Sequence, residues 1–74
     1  MACFAANVRR RRKELELTQE VAGDRADMSP SYWGRIERGS IDPGVRMVVR
    51  VATALETTAT TLMEGTHDLH PAGS

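Results

Sequence analysis

The chain has 74 residues, which suffices for one compact domain with a small hydrophobic core. It contains no run of about 18 apolar residues, so we expect no transmembrane helix and no membrane partner. Its single cysteine, Cys3, excludes an internal disulfide and suits a cytoplasmic protein. Basic and acidic residues balance to a net charge of zero, yet every Lys and Arg lies between Arg9 and Arg50. The total charge therefore hides a basic body, which is compatible with phosphate binding.

The chain begins with two predicted helices separated by a short break. The first is expected from Phe4 to Leu15, because Phe4, Val8 and Leu15 then share one face. The second is expected to begin at Thr18, whose hydroxyl can cap a backbone N–H, and to end near Ala26. A tight turn at Asp27-Met28 follows, since Asp tolerates a left-handed backbone better than most residues.

The next two predicted helices each begin with a capping residue and a proline. Ser29-Pro30 gives the clearest helix start in the sequence, and Gly39 ends that helix as a left-handed cap. Asp42-Pro43 repeats the pattern and predicts a fourth helix that runs to about Glu56. The predicted apolar stripe of the fourth helix consists of Val45, Val48, Val49, Ala52 and Leu55.

The end of the chain predicts a short fifth helix from Thr58 to Glu64 and a disordered tail over 65–74. No window shows strand-like alternation, so we predict an all-α domain over residues 1–64. His67, Asp68 and His70 in the tail match no strong zinc pattern, and we expect no metal or other cofactor. Nothing places a nucleophile beside a base, so we expect neither an enzyme nor a small-molecule ligand.

The second and third helices, with only Asp27-Met28 between them, have the spacing of a helix-turn-helix. The stretch LTQEVAGDRADMSPSYWGRIERG closely resembles the helix-turn-helix segment of the lambda-repressor-like family, also called the Cro/C1-type or XRE-like family. The segments VRRRRKELELTQ and DPGVRMVVRVATALE, with TLM after them, extend the resemblance without gaps over about Phe4 to Met63. It implies a five-helix DNA-binding domain whose third helix, the recognition helix, enters the major groove.

Several residues depart from the family pattern. The family usually has Leu where Ala22 stands, Ala where Gly23 stands, Gly where Asp27 stands and a medium aliphatic where Trp33 stands, and it often has Gly at Glu16. We interpret Ala22, Gly23 and Trp33 as one compensated change, in which volume lost from one helix is gained by the other. Trp33 is accordingly expected in the core and not stacked on a base.

The outer face of the third helix is the predicted base-reading surface, because its other face is apolar. Arg35 is the strongest candidate, since a guanidinium can donate two hydrogen bonds to guanine. Ser31 and Tyr32 either contact DNA or serve capping and packing. Pro30 offers no side-chain hydrogen bond, and Gly34 permits the close approach of either DNA or another helix. The predicted base-reading set is Ser31, Tyr32, Arg35, Pro30 and Gly34.

Phosphate contacts are predicted at the start of the second helix and the end of the third. The start of the second helix is a natural anion site, and the resemblance implies that Gln19 there contacts phosphate and braces the recognition helix. The predicted phosphate set is Thr18, Gln19, Arg38 and Ser40.

The basic run Arg9 to Lys13 cannot all face one way, because successive helical residues lie about 100° apart. The resemblance pairs Arg12 with Glu37 in a structural ion pair between the first helix and the end of the third. The rest of the run is either a solvated face or a flank near phosphates.

A single helix-turn-helix reads only a few base pairs, whereas a two-fold dimer doubles the readout and expects half-sites about 34 Å apart. The family usually dimerises through its last helices. The interface candidates are Met47, Val51, Leu62 and Met63, which could equally all be core.

These observations predict a sequence-specific, double-stranded DNA-binding transcriptional regulator. We expect a homodimeric repressor, or a controller protein of the restriction–modification type, that binds a palindromic operator. The alternative is a protein-interaction module, such as an antitoxin that holds its toxin. Apolar residues in place of Arg35 and Arg38 on the outer face of the third helix would favour that alternative.

Overall fold

A computed structural model describes residues 3–64 of the chain. Over this range the regular secondary structure consists only of helices, so the predicted all-α class is confirmed. No helix within the described range is long and apolar enough to cross a membrane. The predicted tail over 65–74, with His67, Asp68 and His70, lies outside the described residues. The helices are α1 (Cys3–Glu14), α2 (Gln19–Arg25), α3 (Pro30–Glu37), α4 (Val45–Ala54) and α5 (Ala59–Leu62).

Three of the predicted helix starts are found at the expected residues, and at Thr58 the hydroxyl caps α5 by accepting from the backbone N–H of Thr61 at 3.1 Å. The hydroxyl of Thr18 accepts a hydrogen bond from the backbone N–H of Val21 at 3.1 Å, which caps α2. The hydroxyl of Ser29 accepts one from the backbone N–H of Tyr32 at 3.1 Å, and Pro30 occupies the first turn of α3. The tight turn between α2 and α3 therefore has the predicted boundaries.

The predicted start of α4 at Asp42-Pro43 is wrong. The N-cap is Gly44, in an extended conformation and without a side-chain cap, and Val45 is the first helical residue. The segment 40–44 carries the chain from α3 to α4 while Ile41 packs against the core. An extended backbone rises about twice as far per residue as a helix and spans this gap, whereas an earlier helix start would shorten the reach.

Four helices are followed by a residue in the left-handed conformation. Gly39 has a φ of 74° after α3, but Glu16, Asp27 and Glu56 have φ values of 59°, 60° and 57° after α1, α2 and α4. A side chain makes this conformation costly by roughly 1–2 kcal/mol relative to glycine. The glycines that the family favours at Glu16 and Asp27 are thus explained by backbone geometry.

The core lies between the helices and has Trp33 at its centre, fully buried as expected. Ala22 is fully buried in the same core, and its compensation by Trp33 stays a prediction. Gly23 has a different explanation, because a Cβ there would lie 2.9 Å from the carbonyl oxygen of Met28. The largest fully buried side chains are Trp33, Ile36, Leu55, Leu62, Val8 and Val51.

A buried amide joins the two ends of the described chain. Asn7 of α1 donates from Nδ2 to the carbonyl oxygens of Leu62 at 2.7 Å and Glu64 at 2.6 Å. Both amide hydrogens therefore cover carbonyls at the end of α5 that have no intrahelical partner. This bond fixes α5, and with it the surface that α5 shares with α4, to the rest of the fold.

Candidate nucleic-acid interface

The carboxylate of Glu37 joins α1, α2 and α3. Its Oε2 accepts from Arg12 Nε at 2.5 Å and from Trp33 Nε1 at 2.6 Å. Its Oε1 accepts from Arg12 Nη2 at 3.0 Å and from Gln19 Nε2 at 3.1 Å. The side chains of Arg12 and Glu37 are 12% and 4% exposed, so this is a nearly buried, bidentate ion pair with two further donors.

The charge state of Glu37 follows from these partners. Burial alone raises the pKa of a carboxyl group, but here the hydrogen bonds from Arg12, Gln19 and Trp33 and the charge of Arg12 outweigh it. The pKa of Glu37 is therefore lowered below its ordinary value, and the group is an anion at neutral pH. The sequence did not reveal the part played by Trp33, although Trp33 and Glu37 lie one helical turn apart.

Gly34 does not lie on the open outer face of α3 where we predicted it. It is buried, and a Cβ there would lie 3.3 Å from Arg38 Nη1 and 3.7 Å from Gln19 Oε1. The side chains of Gln19 and Arg38 thus cover it. The atoms nearest to this Cβ position are the flexible ends of two side chains and not the backbone of another helix, so close helix packing does not require a glycine here.

The remaining outer residues of α3 are accessible. Pro30, Ser31 and Arg35 are exposed, while Tyr32 is half-buried and packs against the core. The capping role that was open for Ser31 belongs to Ser29. Among the described residues, Arg35 forms neither a hydrogen bond nor an ion pair through its side chain. Arg35 is therefore available to an external partner.

The four predicted phosphate contacts are all exposed and flank α3. Thr18 and Gln19 stand at the start of α2, and one N–H of the Gln19 amide is already donated to Glu37. Arg38 is the C-cap of α3, and Ser40 follows it with its backbone N–H donated to the Arg35 carbonyl at 3.0 Å. The structure thus brings Gln19 and Arg38 together above Gly34.

A family model described as a helix-turn-helix domain matches residues 4–64. The chain belongs to the helix-turn-helix domain family. It is similar to the restriction-modification controller protein C.AhdI from Aeromonas hydrophila, with 28% identity and a TM-score of 0.78 over 82% of this chain and 92% of that chain. The lambda-repressor-like resemblance of the sequence is confirmed.

A second solved structure shows the same fold. The P22 c2 repressor, solved in complex with synthetic operator 9T, is 24% identical, with a TM-score of 0.76 over 84% of this chain and 94% of that chain. No curated protein sequence matches the chain significantly. In this fold α2 and α3 form the helix-turn-helix.

Four of the ten basic residues are committed to main-chain carbonyls within the helix-turn-helix domain. Three of them reach carbonyls at the C-terminal ends of α2 and α4, which lack intrahelical partners, and Arg12 reaches the Leu17 carbonyl in the connection before α2. Six basic side chains remain unpaired within residues 3–64: Arg9, Arg10, Lys13, Arg35, Arg38 and Arg46. The committed four are Arg11, Arg12, Arg25 and Arg50.

Sequence reasoning missed Arg46, which is exposed in the first turn of α4. A cation there opposes the positive end of the helix dipole, so the position is unfavourable for a purely structural Arg. That signal could have marked Arg46 in advance as a phosphate candidate.

The predicted interface residues require correction. Val51 and Leu62 are fully buried core residues, because they lie on the inward faces of α4 and α5, while Met47 and Met63 are half-buried. The apolar stripe predicted for α4 was too wide: Val45 is 82% exposed and Val49 is 50% exposed. Both line an open apolar groove together with α5 residues. We call this surface the α4–α5 face; it consists of Pro43, Val45, Val49, Ala59 and Met63.

Proposed function

We propose that this chain is a sequence-specific transcriptional regulator that binds duplex DNA with α3 in the major groove. The observation that carries the proposal is the contrast between the two sides of α3. Its inner side is fixed through Glu37 to α1 and α2, and its outer side presents Arg35 unpaired. A rigid helix with a free, forked donor suits the reading of base edges.

The similar proteins support the same function. One is a restriction-modification controller protein and the other was solved bound to an operator. The outer face of α3 carries Arg35 and Arg38 and not an apolar patch, so it favours DNA over the alternative of an antitoxin-like interaction module. A cytoplasmic location is part of the same proposal.

Three accessible residues of the recognition helix each make a different contact with the DNA. Arg35 donates to O6 and N7 of a guanine, worth about 1–3 kcal/mol of discrimination. Ser31 hydrogen-bonds a base edge or a phosphate near the start of the helix. The exposed ring of Pro30 can make only apolar contact, and the apolar group that the major groove offers is the thymine methyl. Tyr32, half-buried, contacts the rim of the groove.

The phosphate contacts position this helix without reading sequence. Gln19 binds phosphate with the N–H that Glu37 leaves free, so the same amide anchors the DNA and braces α3. Thr18, Arg38 and Ser40 complete the set, and Arg46 at the start of α4 extends it.

Sequence selection from random duplexes tests this function. We expect the wild type to enrich one short motif, and Arg35→Ala to lose the preference at one guanine in it. Arg10→Ala is the matched control, because Arg10 is also exposed and unpaired but lies on α1. Absence of enrichment by the wild type, or an unchanged motif with Arg35→Ala, contradicts the proposal.

We further propose that the protein is a homodimer assembled through the α4–α5 face and that it binds a palindromic operator. The two exposed valines lie one helical turn apart and would be covered by the partner's equivalent residues in a two-fold interface. Such a dimer is expected to act as a repressor or as a controller of the restriction–modification type.

Sedimentation at micromolar concentration tests the dimer. We expect Val49→Asp to convert the wild-type dimer to a monomer, because it places a charge in an apolar interface. Val21→Asp is the matched control, since Val21 is 44% exposed but lies on α2, outside this face. A monomeric wild type, or dissociation by both substitutions alike, contradicts assembly through the α4–α5 face.

A further inference from the structure

Two arginines connect α4 with the end of α2 and the turn before the recognition helix. One donates from α4 and the other donates from α2. Arg50 of α4 donates from Nη2 to the carbonyl oxygens of Ala26 at 2.6 Å and Asp27 at 3.0 Å. Arg25 of α2 donates from Nη1 to the carbonyl oxygen of Ala54 at 3.2 Å. Each guanidinium thus covers carbonyls at the C-terminal end of the other helix. We call Arg25, Arg50 and these carbonyls the arginine clamp.

The clamp spans a region that side chains do not fill. The turn after α2 and the outer side of α4 border an open cleft of about 270 Å³, whose lining includes Arg25, Arg50 and the half-exposed Val49. Close-packed side chains normally fix the angle between helices. At this edge, the bonds from charged donors to backbone carbonyls fix it instead.

The hydrogen bonds to the carbonyl oxygens provide most of the stabilisation in the clamp, and the ion pair between Arg25 and Glu56 adds little. Arg25 Nη1 also lies 3.1 Å from Glu56 Oε2, but these side chains are 39% and 62% exposed, so solvent screens the pair. The bond from Arg50 to Ala26 is short and partly buried. Arg50 is therefore the residue whose removal loosens the connection most.

We propose that the arginine clamp sets the separation and relative angle of the two recognition helices in the dimer, and with them the half-site spacing that the protein accepts. The proposal rests on the proposed assembly through the α4–α5 face. Arg50 follows Val49 of that face, and it holds Asp27, which lies only three residues before α3. These bonds thus lie between the proposed dimer face and the base-reading helix, and they add to the contacts that the core provides.

The accepted spacing between half-sites is a sensitive measure of how rigidly α3 is connected to the dimer face. One additional base pair moves a half-site by about 3.4 Å and rotates it by about 35°. If the connection between the dimer face and α3 is rigid, the second recognition helix cannot reach the displaced half-site. If the connection is loosened, it can. Arg50 acts here as a positioning residue, because it affects DNA binding through the orientation of α3 and does not itself touch a base.

The test is sequence selection from random duplexes with the wild type, Arg50→Gln and Arg11→Gln. Arg11→Gln is the matched control, because Arg11 donates to the carbonyls of Leu55 at 2.9 Å and Glu56 at 3.1 Å, but from α1. Both substitutions remove one charge and two bonds to a helix end, and Arg11→Gln also removes an exposed ion pair with Glu14, which is expected to add little. Only the substitution of Arg50 loosens the turn before α3.

We expect the wild type and Arg11→Gln to enrich paired half-sites at one spacing. Arg50→Gln is expected to enrich the same half-site at several spacings. On duplexes with one added base pair, the loss of affinity should be about tenfold for the wild type and markedly smaller for Arg50→Gln. Arg50→Lys, which keeps a charged donor, should lie between them and serves if Arg50→Gln does not fold.

The outcomes separate the two proposals. If the wild type enriches only single half-sites, the proposed dimer fails and the clamp proposal fails with it. If the wild type enriches paired half-sites at one spacing and Arg50→Gln and Arg50→Lys do the same, the clamp proposal alone is overturned. It is also overturned if Arg11→Gln broadens the spacing as much as Arg50→Gln, since general loosening of the fold then explains the effect.

Discussion

The helix-turn-helix contains two buried glycines, Gly23 and Gly34, for which we predict opposite effects of substitution by alanine on stability. At Gly23, a Cβ would lie 2.9 Å from the backbone oxygen of Met28 and 3.3 Å from that of Ser29. These atoms belong to the tight turn, and the Met28 N–H donates to the Gly23 carbonyl at 2.8 Å. The turn therefore cannot move aside without losing its own bond.

The magnitude for Gly23→Ala follows from two opposing effects. Overpacking costs about 1–3 kcal/mol, and the gain in helix propensity returns about 1 kcal/mol. We expect a net destabilisation of roughly 1 kcal/mol, or about 4–8 °C in melting temperature for a domain of this size. For Gly34→Ala the nearest atom is the flexible end of Arg38, so the propensity gain dominates and the substitution stabilises by up to about 1 kcal/mol.

Thermal and urea unfolding of both variants tests this reasoning. A stabilising Gly23→Ala refutes the explanation by the tight turn. The double variant Gly23→Ala with Trp33→Leu distinguishes that explanation from the compensated change predicted from sequence. If Trp33 had displaced the methyl group, Trp33→Leu would restore tolerance of Ala at position 23; we expect no such rescue.

Three further predictions concern other sites. Glu16→Gly should stabilise by about 1 kcal/mol because Glu16 has a positive φ, whereas Arg10→Gly inside α1 should destabilise by a similar amount; equal effects in unfolding experiments contradict this. Ala22→Leu should destabilise the fold through a clash with Trp33 in the core, and a neutral thermal melt refutes it. Glu37→Gln should cost on the order of 3 kcal/mol at pH 7 by leaving Arg12 partly unpaired. Because the pKa of Glu37 is lowered on folding, its contribution is fully present above the ordinary value of 4.5 and is lost as the pH falls through the lowered pKa, so the stability difference should shrink as the medium is acidified below that value. A difference that does not depend on pH contradicts this explanation.

The features that sequence predicted well are local ones. The caps at Thr18 and Ser29 depend on a hydroxyl and an N–H three residues away, so a short stretch of sequence contains all the required information. The same reasoning failed at Asp42, because the start of α4 depends on how far the chain must travel after α3. That distance is set by the packing of the whole fold and is not written in the local sequence.

The exposure of several predicted site residues was wrong for a related reason. Helical periodicity shows which residues share a face, but it does not show how much of that face a neighbour covers. Gly34 is covered because Gln19 reaches across it towards Glu37, and Val51, for which the interface and the core were both open, lies in the core. Val45 and Val49 could have been found, since they lie beyond the stripe that one core can bury.

The distribution of arginines shows why composition alone misjudges the DNA-binding surface. Three helices end in left-handed residues other than glycine, and their terminal carbonyls need donors. Three arginines donate to such carbonyls and Arg12 donates to the Leu17 carbonyl, so six of the ten basic side chains remain for phosphates. Each neutralised phosphate contributes about 0.9 to the slope of log affinity against log salt. The slope per protomer therefore cannot exceed about 5 from these side chains, and a steeper slope would mean that DNA binding opens the carbonyl contacts and releases arginines such as Arg25 or Arg50.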